Sequence, residues 1–238
     1  MLFLISAKPY IKSKTNWKQL VKIRCQKNIS TERKMAQLLA DKICAEPKSA
    51  KPVPDLKILS IRAAISNDVS FLESLYSDTQ NNKLKISDVL DNIDQTGNTP
   101  LIWAADAGNT NVVEFLAGIK EVEILRQGFL GNTALARSVR NGHVDVVKAL
   151  LKEANQRTNS DLGASDYGNI HNHKLQYPIH FASYYEHPSI LELMLDLQFD
   201  TYVKDRKGRT PFEDTKSDKI KDMIAKHRSM LINIHSKR

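Results

Sequence analysis

Asp94-Gln95-Thr96-Gly97-Asn98-Thr99-Pro100-Leu101-Ile102-Trp103-Ala104-Ala105-Asp106-Ala107-Gly108-Asn109 decides how this chain folds. Thr99 can cap a helix through its hydroxyl, and Pro100 suits the first helical turn, where a missing N–H costs nothing. Ala104 and Ala105 are small enough to let neighbouring helices approach closely. Gly108 suits a left-handed turn that stops one short helix and starts another. Val112, Val113, Phe115 and Leu116 then supply the apolar stripe of that second helix. One such hairpin cannot bury its apolar face alone, so the pattern demands neighbours of the same kind.

The neighbours are in the sequence. Gly97-Asn98-Thr99-Pro100-Leu101 is echoed 34 residues later by Gly131-Asn132-Thr133-Ala134-Leu135. At the same offset Gly108 becomes Gly142, followed by His143, and Val112-Val113 becomes Val146-Val147. A further copy reads Tyr177-Pro178-Ile179-His180-Phe181-Ala182, then Ile190-Leu191-Glu192-Leu193-Met194-Leu195. The last opens at Asp205-Arg206-Lys207-Gly208-Arg209-Thr210-Pro211-Phe212. Upstream, Ile61-Arg62-Ala63-Ala64 with Leu72 and Leu75 fits a degraded first copy.

These copies resemble the ankyrin repeat, whose consensus runs Asp-x-x-Gly-x-Thr-Pro-Leu-His-x-Ala-Ala-x-x-Gly-His before a Val/Leu-rich second helix. The resemblance covers about residues 57–227 and implies an all-α solenoid of about five repeats, the two end copies degraded as caps.

The departures carry expectations of their own. Ala134 and Ala136 stand where the family has Pro and His. Tyr177 replaces the capping Thr, which weakens the role the family gives His180. Glu186 replaces the turn glycine, so that turn is expected to be remodelled, with His187-Pro188 starting the next helix. About ten residues are inserted within 155–174, and a smaller insertion falls around 78–91. Both are expected to project as loops from the edge of the stack. The final copy, with Lys219, Lys221 and Asp222, has a polar face that suits a terminal cap.

Charge is distributed unevenly. The 238 residues carry a net +8 at 41% hydrophobic and 26% charged content. Residues 1–34 contribute +8, residues 56–203 contribute −6 and residues 204–238 contribute +6. A fold-wide basic surface for nucleic acid is thereby excluded. The first 34 residues are Lys-rich and lack the repeat. They read either as untranslated, because Met35 opens a second start, or as a targeting segment of mitochondrial type. Trp17, Leu20, Val21 and Cys25 fall at helical spacing within them. Three prolines mark residues 45–55 as an extended linker. The expected organisation is therefore a leader and linker over 1–55, repeats over 56–227 and a basic tail over 228–238. Two cysteines, Cys25 and Cys44, cannot staple such a chain, which points to the cytoplasm or nucleus. The apolar stub 1–5 is far short of the ~20 residues a membrane span needs.

Catalytic chemistry finds little to work with. No nucleophile elbow, phosphate loop or paired-carboxylate motif occurs. Gly128-x-x-Gly131 reads as hairpin sequence. His171-x-His173 has metal-like spacing but lacks the third and fourth ligands that zinc wants. We therefore expect no enzyme, no cofactor and no metal.

What the resemblance implies is a protein-binding scaffold, adaptor or regulatory subunit, expected to be monomeric, that uses a concave face of inner helices and hairpin tips. By register that face takes Gln95, Thr96, Asn98, Trp103 and Asp106 from the second copy. The third supplies Phe129, Leu130, Asn132, Arg137, Arg140 and Asn141. The fourth supplies Tyr184 and Tyr185, and the last Arg206, Lys207 and Arg209. Trp103, Phe129 and the tyrosines are the anchors expected of a hot spot, although Trp103, Tyr184 and Tyr185 also suit packing against the adjacent repeat. The alternative is a peripheral protein held to anionic membrane or nucleic acid by the basic termini, residues 8–34 with Lys226, Arg228, Lys237 and Arg238.

Overall fold

A computed structural model of the chain describes residues 55–81, 84–157 and 164–235. The 1–34 leader, the linker apart from Asp55, both cysteines, Lys237 and Arg238 lie outside the described residues. The elements are α1 (Leu56–Ser66), α2 (Val69–Gln80), α3 (Ile86–Val89), α4 (Pro100–Ala107), α5 (Thr110–Gly118), a 3-10 turn (Phe129–Gly131), α6 (Ala134–Asn141), α7 (Val144–Arg157), α8 (Ala164–Gly168), α9 (Pro178–Tyr184), α10 (Pro188–Asp196), α11 (Pro211–Asp214) and α12 (Asp218–His235). The described residues contain no strand, and the fold is the all-α repeat stack that the periodicity requires. No described helix is long and apolar enough to cross a membrane.

Five helix pairs follow one another: α1–α2, α4–α5, α6–α7, α9–α10 and α11–α12. The first members pack in an inner row, each on the next, and the second members form an outer row. Between the rows lies one apolar core. Ala64, Leu101, Ala104, Ala105, Leu135, Val139, Ile179 and Ala182 enter it from the inner row. Val112, Val113, Leu116, Val146, Val147, Leu150, Ile190, Leu191 and Met194 enter it from the outer row. Each fully buried aliphatic side chain contributes about 1.5–3 kcal/mol, and each internal unit draws its burial from both neighbours.

Helix starts follow the sequence closely. The Thr99 hydroxyl accepts from Ile102 N–H at 3.2 Å, and Thr133 does the same for Ala136 at 3.2 Å. Pro100, Pro178, Pro188 and Pro211 all occupy the first turn.

The first three inner-helix ends are closed by the next unit. The last carbonyls of a helix have no partner within it, and here the residue opening the following outer helix reaches back to them. Asn109 Nδ2 donates to Ala64 and Ile65 carbonyls, both at 2.8 Å. His143 Nε2 donates to Asp106 O at 3.1 Å, and His187 Nε2 to Arg140 O at 3.2 Å. These rings lie on the preceding turn, where a Cβ on Gly108 or Gly142 would come within 2.7 Å of them. Both glycines also sit at positive φ, near +80° and +76°.

Glu186 corrects an expectation. It holds the glycine position at φ +58°, and the turn keeps its form. His187 N–H still bonds Ala182 O at 2.9 Å, as His143 N–H bonds Ser138 O at 3.0 Å. No ring from the fifth unit presses on it, because Ser217 stands where the earlier units place Asn or His. A side chain is therefore tolerated at the cost of local strain.

Both insertions also depart from expectation, because neither is a mere projecting loop. The first forms α3, and Val89 and Leu90 are buried against α1 and α2. Asn92 continues the contact by donating to Lys57 O at 3.2 Å. The second extends α7 to Arg157 and adds α8. Tyr167 on α8 is buried, donating its hydroxyl proton to Ile124 O at 2.7 Å and accepting from Leu135 N–H at 3.3 Å. Burial pushes that phenol far above its usual range. Arg157 packs its guanidinium on the carbonyls that end α5, including Val122 O and Ile119 O at 2.6 Å.

The expected tail beginning at residue 228 is instead helix. α12 runs to His235, with Ile220 and Ile224 buried. Arg228 bonds Thr201 Oγ1 at 3.0 Å and lies 4.1 Å from the Tyr202 ring centroid. Its guanidinium is thus held against the fold and not in a free tail.

Two stability measurements test these packing arguments by urea denaturation. Glu186→Gly should raise stability by about 1 kcal/mol by relieving the left-handed strain, whereas Gly142→Ala should lower it by more than that. Tyr167→Phe should cost about 1–3 kcal/mol, the range for stranding buried backbone groups; an unchanged midpoint would refute a structural role for α8.

Candidate protein-binding face

Four hairpin tips line one edge of the inner row: residues 94–98, 128–132, 172–176 and 205–209. All close alike, with the first N–H donating to the last carbonyl: Asp94 to Asn98 at 3.0 Å, and Gly128 to Asn132, Asn172 to Gln176 and Asp205 to Arg209 at 2.9 Å. In three tips a side-chain oxygen at the first position holds the loop from inside. Asp94 Oδ1 accepts from Thr96 N–H at 2.7 Å and Asn98 N–H at 3.0 Å. Asn172 Oδ1 accepts from Lys174 and Gln176, and Asp205 Oδ1 from Lys207 and Arg209. Gly128 has no such group, and Asn98 from the preceding tip bonds Phe129 N–H instead, at 2.8 Å. Tips are joined in series, since Leu130 O accepts from His173 N–H at 3.0 Å and Lys174 O from Arg206 N–H at 2.9 Å.

The sixteen residues assigned to the face by register divide by environment. Gln95, Phe129, Leu130, Tyr184, Arg206 and Lys207 are exposed. Asn98 and Asn132 are buried, which corrects their assignment. Asn98 ties its tip to the next, and Asn132 Oδ1 accepts from Asn172 Nδ2 at 3.2 Å. Both are internal to the row of tips and present no surface.

The others are half-buried and mostly committed to joining units. Thr96 gives its hydroxyl to Asp94 at 2.7 Å. The Trp103 indole N–H donates to Asp94 Oδ2 at 2.8 Å, setting the angle between tip and helix within one unit. Asp106 is gripped by the third unit: Asn141 Nδ2 reaches its carbonyl at 2.8 Å, and Arg137 its carboxylate at 3.5 Å. Tyr185 lies between units, with Arg140 5.8 Å above its ring and Phe181 stacked 6.5 Å away. Tyr184 meets Tyr185 edge-on at 5.0 Å and keeps its own surface outward. Register missed Leu175, which is exposed on the fourth tip. The periodicity offered no signal for it, because the other tips carry glycine at that position.

Electrostatics concentrate at the fourth-to-fifth junction. Arg209 pairs with Asp205 and Asp214, both at 2.7 Å, so it is a structural cation rather than a surface one. Burial opposes the Asp205 charge, but the bonds from Arg209 and Lys207 together outweigh it and hold that carboxyl below its usual range. At Asp214 burial wins over Arg209 and pushes the carboxyl up.

His180 completes this junction, in contrast to the weakened role expected from the loss of a threonine partner. It is fully buried, with Nδ1 accepting from Tyr177 N–H at 3.3 Å and Nε2 donating to Arg209 O at 3.0 Å. Both ring nitrogens are thus used in the neutral form. Burial, the largest influence, lowers the imidazole pKa.

His171 rests edge-on against Tyr177, 5.4 Å between centroids. Among the described residues no group of three or more His, Cys, Asp or Glu is placed to hold a metal ion.

The His180 geometry sets a pH dependence. A folded pKa below the unfolded value near 6.5 means that the unfolded chain takes up the proton first as pH falls. Its stabilisation is present above pH 6.5 and is lost on acidification through the folded pKa. The raised Asp214 works in the opposite sense, its contribution growing as pH falls through its folded pKa. Hydrogen exchange should show α9–α12 losing protection as pH falls below about 6.5, and His180→Gln should flatten that loss.

Comparison with known proteins agrees with the geometry. The family model for ankyrin repeats matches residues 60–166, in three copies. Inversin from Danio rerio is 33% identical over 79 residues, which is 33% of this chain and 8% of that protein. The chain thus spans less than a tenth of the length of that relative. Helix pairs, stacking and glycine turns concur with the match, and over residues 60–166 this chain is a stack of ankyrin repeats.

Proposed function

We propose that this chain is a non-enzymatic scaffold or adaptor that binds another protein through its inner helices and hairpin tips. Ankyrin repeats are in general protein–protein interaction modules. The observation that carries the reading is Tyr184. A tyrosine is 41% exposed on the inner row, held edge-on by Tyr185. Tyrosine contributes large contact area at low entropic cost once its rotamer is held. Arg140, over the neighbouring Tyr185 ring, and Trp103 two units away add the residue types enriched in hot spots.

Tyr184 is the better probe, because Tyr185 is engaged between units and its loss would disturb the stack. Co-purification of the intact chain followed by mass spectrometry identifies bound proteins. Tyr184→Ala should reduce the retained partner about tenfold or more while the thermal midpoint holds. Full retention of every bound protein by this folded variant would refute the assignment of the face.

A further inference from the structure

We propose that the tips of the third, fourth and fifth units form a docking site for an acidic peptide segment that carries an aliphatic or aromatic side chain. This rests on the protein-binding reading above and specifies the chemistry of the partner.

Two exposed leucines begin the argument. Leu130 and Leu175 sit at φ +60° and +55° on adjacent tips, 45% and 40% exposed. A non-glycine residue in that region costs roughly 1–2 kcal/mol. Folding does not recover the cost, because neither side chain belongs to the core or to the layer packed on it. Phe129, beside Leu130, is 48% exposed and likewise outside the core. Strain of this kind clusters at ligand sites, although at Glu186 it serves the turn alone. The backbone bond from His173 to Leu130 holds the third and fourth tips together, which places Phe129, Leu130 and Leu175 on neighbouring tips.

Charge then selects the occupant. Lys174 follows on the fourth tip, and the bond from Arg206 N–H to Lys174 O brings the fifth tip alongside. Lys174, Arg206 and Lys207 are exposed, and none forms an ion pair with a described residue. The nearby carboxylates, Asp205 and Asp214, are buried and paired with Arg209. Apolar tips adjoining an unneutralised basic strip fit a peptide that places an apolar side chain on the leucines and Asp or Glu on the strip. A nucleic acid would leave the leucines unused, which favours the peptide.

The full chain, used to select from a displayed random peptide library, tests this. Enriched peptides should combine Asp or Glu with Leu, Ile or Phe. Leu130→Gly with Leu175→Gly relieves backbone strain, so the variant keeps its fold and should bind those peptides about tenfold more weakly. Lys174→Glu, Arg206→Glu and Lys207→Glu together should weaken them similarly, and Lys-for-Asp versions of the peptides should recover binding to that variant. Enrichment of neutral or basic peptides, or undiminished binding by both variants, overturns the proposal. If the peptides depend on Tyr184 but not on the tips, protein binding stands and the docking site is wrong. If they depend on neither, both fail. Binding of a labelled single-stranded oligonucleotide that is abolished by the charge reversal, without an acidic preference among peptides, would overturn it in favour of a polyanion.

Discussion

Closure of the first three inner helices, each by a side chain from the following unit, is the interaction on which this stack depends. A helix of eight residues leaves its final carbonyls without internal partners, and burying them unsatisfied would cost more than so short a helix gains from its own ladder. Asn109, His143 and His187 supply the missing donors across the unit boundary. None of the first three units is therefore complete without its successor. The same geometry sets the glycine requirement, since the donor ring lies on the turn it serves, and it explains why the requirement lapses at Glu186. Arg157 and Arg228 repeat the principle on the outer row, each placing a guanidinium on carbonyls that end an earlier outer segment.

Polar side chains that register alone assigns to the face are largely the mortar of the stack. Asp106, Arg137 and Asn141 join the second and third units, while Asp205, Arg209, Asp214 and His180 join the fourth and fifth. This follows from the narrowness of the repeat. An inner helix presents only two turns, and one side of each turn must satisfy the next helix. What is left exposed is sparse: Tyr184, the apolar tips and a basic strip. That scarcity is useful, because it separates groups that can contact a partner from groups whose removal would loosen the stack.

The site was legible in part. Trp103, Tyr184 and the tip residues Phe129, Leu130, Arg206 and Lys207 could be placed by counting from Thr99, because the backbone repeats faithfully. Whether each was exposed could not be counted, because exposure depends on what the adjacent unit places opposite it. Asn98 and Asn132 illustrate this: they occupy the positions expected of tip residues, yet bond between tips and are buried. Leu175 illustrates the converse, being exposed where the periodic pattern leads one to expect glycine.

By itself the sequence determined the repeat unit, its helix caps, its turns and the direction of its apolar stripes. All of these are set by interactions within a few residues, namely hydroxyl to N–H, proline in the first turn and 3.6-residue periodicity. Only the tertiary structure decided the fate of the insertions, the role of His180 and the preserved turn at Glu186. Each depends on contacts between residues far apart in the chain: Tyr167 reaches Ile124, His180 reaches Arg209, and Glu186 is spared because Ser217 brings no ring against it. Local chemistry specifies the brick, and the stacking of one brick on another specifies which of its surfaces remain to bind.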